Sequence, residues 1–213
     1  MHILIIGASR GIGLGLVREF AGRGWSVTGT VRRPVDEAAV IEAGGTPALL
    51  DMTDRAAMQD LQGHIGPIDI LCINAGVSEP ADPDAATLGT FFDTNALAPV
   101  DLARAFLDRI VPGGTLAFMS SRMGSVALNT RGDLPLYRAS KAALNSLTRS
   151  LVAGLDRPLR VITLHPGWVQ TDMGGAGADL DVPTSARGLA DVLMAPRPAG
   201  SVFLDYAGAE LAW

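Results

Sequence analysis

Ile3-Leu4-Ile5-Ile6-Gly7-Ala8-Ser9-Arg10-Gly11-Ile12-Gly13 opens the chain and decides how the rest is read. Four consecutive apolar residues, three of them β-branched, make a strand without the polar alternation of a half-exposed sheet. Such a strand is covered on both faces, as in a parallel sheet. Three glycines follow at Gly-x-x-x-Gly-x-Gly spacing, and an amphipathic helical pattern then runs through Leu16, Val17 and Phe20 until Gly22 or Gly24 ends it. Strand, glycine turn and helix together can present backbone N–H groups and a positive helix end to a phosphate. The spacing differs from the commoner Gly-x-Gly-x-x-Gly fingerprint, and a glycine cluster alone fits a plain tight turn as well.

The same alternation continues outward. Further strands read at Ser26–Val31, Pro47–Leu50, Ile68–Ile73, Thr115–Met119, Leu159–Leu164 and Ser201–Asp205. Helical patterns lie between them: Val35–Ala43, a segment through Met58 and Leu61, a long run from Leu88 to Phe106, the stripe Leu144, Leu147 and Leu151, and Thr184–Met194. No repeat or linker interrupts the series. Residues 1–213 are therefore expected to form one α/β domain, a Rossmann-like, doubly wound parallel sheet of about seven strands flanked by helices. The stretch around 168–185 is rich in glycine (Gly174, Gly175, Gly177) and is expected to be a mobile lid over a ligand.

Composition narrows the partners. About half of the 213 residues are apolar, 18% are charged, and the net charge is −5, which argues against a nucleic-acid or anionic-membrane surface. No apolar run approaches the roughly 20 residues that span a bilayer, and Ile3–Ile6 is too short for a signal-peptide core. The lone Cys72 has no partner for an internal disulfide, which fits a reducing, cytoplasmic setting. His2, His64 and His165 show no metal-ligand spacing, so no metal is expected.

Several residues at strand ends carry chemistry. In a dinucleotide fold, an acid at the end of the second strand would hold the ribose 2′-hydroxyl. Here that position offers Thr30, then Arg32 and Arg33. With Arg10, these suit a 2′-phosphate, so NADP(H) is preferred over NAD(H); otherwise the pair is an ordinary solvated loop. Asp51, at the end of the third strand, is placed for an adenine contact, and Thr53 or Asp54 for capping the next helix. Gly76 lets the backbone of Asn74-Ala75-Gly76 approach a ligand. Asn95, disfavoured inside a helix, has a hydrogen-bonding duty, structural or catalytic.

Tyr137 and Lys141 stack one helical turn apart, and the ammonium is expected to pull the phenol below its usual value of about 10. Arg138 is expected to be solvated, Ser120 to be a strand-end residue, and His165 to support the turn at Pro166. Trp168 and Met173 either line an apolar substrate pocket or pack the lid.

Taken together, these motifs resemble the short-chain dehydrogenase/reductase family, in particular its C-factor and carbonyl-reductase branch. Gly7-Ala8-Ser9-Arg10-Gly11-Ile12-Gly13 resembles its cofactor turn and Asn74-Ala75-Gly76 its Asn-Ala-Gly element. Ser121 with Tyr137-x-x-x-Lys141 resembles its catalytic set, with Asn95 as the fourth member, and Pro166-Gly167 followed by Thr171 its nicotinamide loop.

The resemblance implies hydride transfer between a nicotinamide and a small carbonyl or alcohol substrate, with Tyr137 as general acid/base. Lys141 would lower the Tyr137 pKa and bond the nicotinamide ribose. Ser121 would polarise the substrate oxygen, and Asn95 would hold a relay water. The cofactor contacts it implies are Gly7, Ser9, Arg10, Gly11, Ile12, Gly13, Arg32, Asp51, Met52, Asn74, Ala75, Gly76, Tyr137, Lys141, Pro166, Gly167, Val169 and Thr171. Ser121 and Tyr137 are sixteen residues apart, longer than in many members, so Ser125 stays an alternative to Ser121. Relatives are often homodimers or homotetramers, and nothing here chooses between them. The rival reading is a regulatory or signalling protein that binds the cofactor without turnover.

Overall fold

Every residue of the first strand, β1 (His2–Ile6), after His2 is at most 1% exposed in the computed structural model, which describes residues 1–213. The burial follows from its place in the middle of a seven-stranded sheet. With β2 (Ser26–Val31), β3 (Thr46–Leu49), β4 (Ile68–Ile73), β5 (Ile110–Met119), β6 (Arg160–His165) and β7 (Gly200–Asp205), it forms the order β3-β2-β1-β4-β5-β6-β7. All six pairings are parallel. Helices α1 (Gly11–Gly22), α2 (Glu37–Glu42), α3 (Arg55–His64), α4 (Ala85–Phe92), α5 (Ala98–Phe106), α6 (Pro135–Ala153) and α7 (Val182–Met194) connect the strands.

Alternate side chains of β1 enter opposite cores. Ile3 and Ile5 join Leu16, Val17 and Phe20 of α1 and Leu189 and Leu193 of α7. Leu4 and Ile6 join Phe106 of α5 and Leu144 and Leu151 of α6. Each such fully buried side chain contributes about 1.5–3 kcal/mol, so β1 is the anchor of both layers. From β1 the sheet continues to β2 on one side and β4 on the other. That reversal opens a crevice at the carboxyl ends of the strands, where ligands of such sheets bind. No helix is long and apolar enough to cross a membrane, and no cluster of His, Cys, Asp or Glu is arranged to hold a metal.

Two local expectations change and one alternative is resolved. The run from Leu88 to Phe106 is two helices, α4 and α5, joined by a wide π turn at Asp93–Leu97. Pro99 explains the break: it has no N–H for the carbonyl of Asn95 four residues earlier, and its ring clashes with that carbonyl. β5 starts at Ile110, five residues earlier than read, because a register jump between Ile68 and Ile70 absorbs the turn at Gly113. Of the two capping candidates, Asp54 caps α3, accepting from the Ala56 and Ala57 N–H groups at 2.9 and 3.1 Å.

The stretch after β6 forms a hydrogen-bonded loop. Val169 pairs with Leu180 as a parallel bridge. Gln170 N–H donates to the Leu180 carbonyl at 2.8 Å, Leu180 N–H to that of Trp168 at 3.0 Å, and the Trp168 indole to Gly174 at 2.8 Å. Its glycines make the turns of a bonded loop.

Candidate active site

The glycine turn is held in shape by backbone contacts. Gly7 adopts φ 85°, and its N–H donates to Thr30 Oγ1 at 3.0 Å. A Cβ on Gly7 would stand 2.8 Å from that of Ala75, and one on Gly13 would collide with the Gly7 carbonyl. Asn74 Nδ2 donates to that same carbonyl at 2.8 Å, while the Asn74 and Ala75 N–H groups both bond the Ile6 carbonyl. The turn and the Asn74-Ala75-Gly76 element are thus clamped together. Between them α1 begins after Ser9 and Arg10 with Gly11 and Ile12, with no side-chain cap and no acid in its first turn. Its first N–H groups stay available for an anion.

At the end of β2, Arg32 and Arg33 are both exposed. Arg33 is closed onto Asp36 by two bonds of 2.8 and 2.9 Å, so Arg32 is the arginine left open there. Asp51 Oδ1 accepts from the Thr53 amide and hydroxyl at 2.9 and 2.7 Å. The Thr53 amide holds the Asp51 carboxyl below its usual range, with the nearby Arg32 adding to it. Met52 beside it is buried.

At the ends of β5 and α6 the remaining groups converge. Ser121 follows β5 and caps the short turn Arg122–Gly124 by accepting from Met123 N–H at 3.1 Å; it also lies near enough to the Tyr137 phenol to favour the phenolate. Ser125, one loop further on, accepts from Leu128 N–H at 3.1 Å. Ser120 donates to Asn145 at 2.6 Å within the core. Lys141 is 4% exposed; its Nζ donates to the Met119 carbonyl at 3.1 Å and lies 5.8 Å from the centre of the Tyr137 ring. A Cβ on Gly76 would sit 3.2 Å from Asn95 Oδ1 and 3.3 Å from Lys141 Nζ, so the glycine brings that loop down onto both.

Asn95 is fully buried in the π turn. It accepts from Val77 N–H at 2.8 Å and donates to the Val77 carbonyl at 2.9 Å and to Ser140 Oγ at 3.2 Å. Ser140 in turn donates to the Tyr137 carbonyl at 2.8 Å. Both amide protons and one oxygen lone pair are therefore committed to protein, leaving one Oδ1 acceptor site.

The electrostatics reverse one expectation. Burial pushes the Tyr137 phenol up to about 12, only partly offset by Ser121, and pushes the Lys141 ammonium down to about 8. Lys141 does not lower Tyr137 here: desolvation drives each toward its neutral form. His165, with its Nδ1 buried and unpartnered, is pushed down to about 4 by burial and by Arg122. Cys72 is inert at about 12.

Arg138 is not solvated: its side chain is 10% exposed, with Nε donating to the Asp133 carbonyl at 2.7 Å and Nη2 to its carboxylate at 2.5 Å. That ties the loop before α6 to the helix. Glu79, which the sequence places at the start of a loop and gives no role, accepts from Tyr137 N–H at 2.7 Å and so anchors the first turn of α6. Its only sequence signal was an acid five residues after Asn74.

Across the crevice, Pro166 accepts from Ser185 at 2.7 Å, and Gly167 turns with φ 85°. Val169 is buried, and Thr171 packs on the glycine turn, its Cγ2 3.3 Å from where a Gly11 Cβ would be.

Residues 1–179 match the family model for short chain dehydrogenases. The chain is 45% identical over 157 residues to C-signal of Myxococcus xanthus, covering 70% of this chain and 94% of that one. It superposes on a short-chain dehydrogenase/reductase from Burkholderia multivorans with bound NADP (TM-score 0.94, 36% identity, 100% and 99% of the two chains). A carbonyl reductase from Pseudomonas aeruginosa in complex with NADP superposes with TM-score 0.89 at 41% identity, over 100% and 99%. Sequence match, strand order and the clamped glycine turn agree, and the chain belongs to the short-chain dehydrogenase family.

Proposed function

We propose that the protein is an NADP(H)-dependent carbonyl reductase in which all of residues 1–213 serve one cofactor-binding unit and 168–185 forms its lid. The observation that carries this reading is the buried Lys141 ammonium 5.8 Å from the centre of the Tyr137 ring, with Ser121 at the end of β5 nearby, all on the sheet edge that holds the glycine turn. The residues fit a dinucleotide. The uncapped start of α1 and the turn Gly7–Gly13 would take the pyrophosphate, Arg10 and Arg32 the 2′-phosphate, and Asp51 and Met52 the adenine. Pro166, Gly167, Val169 and Thr171 would border the nicotinamide. Lys141, a buried ammonium with one protein acceptor, has donors to spare for the ribose.

Bound there, the nicotinamide supplies or accepts the hydride. Tyr137, protonated at neutral pH, would give its proton to the carbonyl oxygen, and Ser121 would polarise the same oxygen. Asn95 would hold a water on its remaining Oδ1 site. Trp168 and Met173, about half exposed on the lid, favour a small or flat apolar carbonyl.

The reading is tested by NADPH consumption against a panel of aldehydes, ketones and quinones. Steady turnover on at least one is expected. A second reading, a regulator that binds the cofactor without turnover, is favoured by the name of the 45%-identical relative, C-signal, and NADPH binding with no consumption on any member would establish it. For the cofactor itself, Arg32→Ala should weaken NADPH by about tenfold and leave NADH unchanged, because a charge-assisted bond to phosphate is worth ~1.5–3 kcal/mol. Equal affinities of the native protein for the two would overturn the NADP preference.

A further inference from the structure

The glycine turn and the loop after β6 meet across the mouth of the crevice. Arg10 Nη1 lies 2.8 Å from Asp172 Oδ2, both side chains three-quarters exposed. Next to this pair, Thr171 packs on Gly11. The loop is built to present Asp172: Gly174 N–H donates to Thr171 Oγ1 at 3.1 Å and Gly175 N–H to the Thr171 carbonyl at 2.8 Å, closing a tight turn around it. On its other side, the Asp36 carboxyl is held below its usual range first by its bond from Arg33, with Arg10 and Arg32 close enough to add to it.

Three arginines thus surround one corner, in three different states. Arg33 is closed onto Asp36 within its own turn. Arg32 is in no ion pair. Arg10 alone joins the glycine turn to the loop on the far side.

We propose that Arg10–Asp172 is a latch opened by the 2′-phosphate of the cofactor, which makes Asp172 a specificity-determining residue. The inference rests on the reading of Arg10 and Arg32 as the 2′-phosphate contacts. An exposed ion pair contributes little, whereas a phosphomonoester brings a charge near −2 and three acceptor oxygens. The phosphate displaces the carboxylate from Arg10, and Asp172 is released together with its loop. A nucleotide lacking the 2′-phosphate leaves the pair intact. Asp172 therefore lowers the affinity for 2′-phosphorylated nucleotides and couples their arrival to the loop that covers the site.

Calorimetric titration with 2′,5′-ADP and 5′-AMP isolates the phosphate from any turnover. Asp172→Asn should tighten 2′,5′-ADP by about two- to fivefold at low salt, the range set by an exposed ion pair, and leave 5′-AMP unchanged. Arg10→Gln should weaken 2′,5′-ADP, and in the double variant the gain from Asp172→Asn should vanish. Unchanged or weaker 2′,5′-ADP binding in Asp172→Asn, or an equal shift for both nucleotides, refutes the latch alone, provided the native protein distinguishes the two ligands. If the native protein binds both alike, the 2′-phosphate reading fails and the latch with it.

Discussion

Tyr137→Phe leaves the protein folded and able to bind NADPH while lowering carbonyl turnover by about 10²–10⁴-fold, the usual cost of losing a general acid. The geometry makes the variant clean. The Tyr137 main chain is held by Glu79 on its N–H and by Ser140 on its carbonyl, so removing the hydroxyl leaves α6 and Lys141 in place. The group lost is the hydroxyl that lies near Ser121. NADPH fluorescence titration and single-turnover oxidation, run on the same sample, separate binding from chemistry. A variant within tenfold of native turnover would remove Tyr137 from the mechanism.

The proton state of Tyr137 also bears on direction. Its pKa of about 12 keeps the phenol protonated well past neutral pH, the form that donates to a carbonyl oxygen. The Tyr-x-x-x-Lys spacing was legible in the chain, but the sign of the shift was not. Helical spacing places Lys141 one turn from Tyr137; it does not say that both will be desolvated, or that the ammonium will face the ring and the Met119 carbonyl.

The same division runs through the rest of the molecule. The glycine turn, the parallel strands and Asn74-Ala75-Gly76 were readable because buried parallel strands and close backbone approaches leave compositional marks. Arg138 was misread because its burial depends on Asp133, five residues away across a turn whose Leu134 adopts φ 49°. The π turn that positions Asn95 follows from Pro99, a residue four places on that looked like an ordinary helix member. Glu79 and Asp172 act on groups 58 and 162 residues distant, and no periodicity records such pairs. The composition around Gly174 reads as a mobile lid but does not record the bonds that join Trp168 and Gln170 to Leu180.

Lys141→Met should abolish turnover and at the same time remove a stability cost that varies with pH. The folded pKa of Lys141, about 8, lies below its ordinary value of 10.5. Between those limits the unfolded chain binds more protons than the folded one, so this group makes stability rise with pH from about 8 to 10.5; below 8 the penalty is complete. From pH 7.5 to 9 the native protein should gain about 1 kcal/mol from Lys141, and the Met variant should lack that gain. Cys72 acts with the opposite sign above pH 9, since its thiol is pushed up to about 12, but it does so equally in both proteins and cancels in the difference. Urea denaturation of the two proteins at pH 7.5 and 9 measures the effect. Parallel stability curves would mean that Lys141 carries its ordinary charge in the fold, stabilised by groups other than the Met119 carbonyl. The loss of activity has a separate cause, since Met has no donor for the cofactor ribose. A buried ammonium kept at a stability cost is what a ligand-binding role for Lys141 predicts, and the paired measurement of stability and turnover tests both halves of that reading.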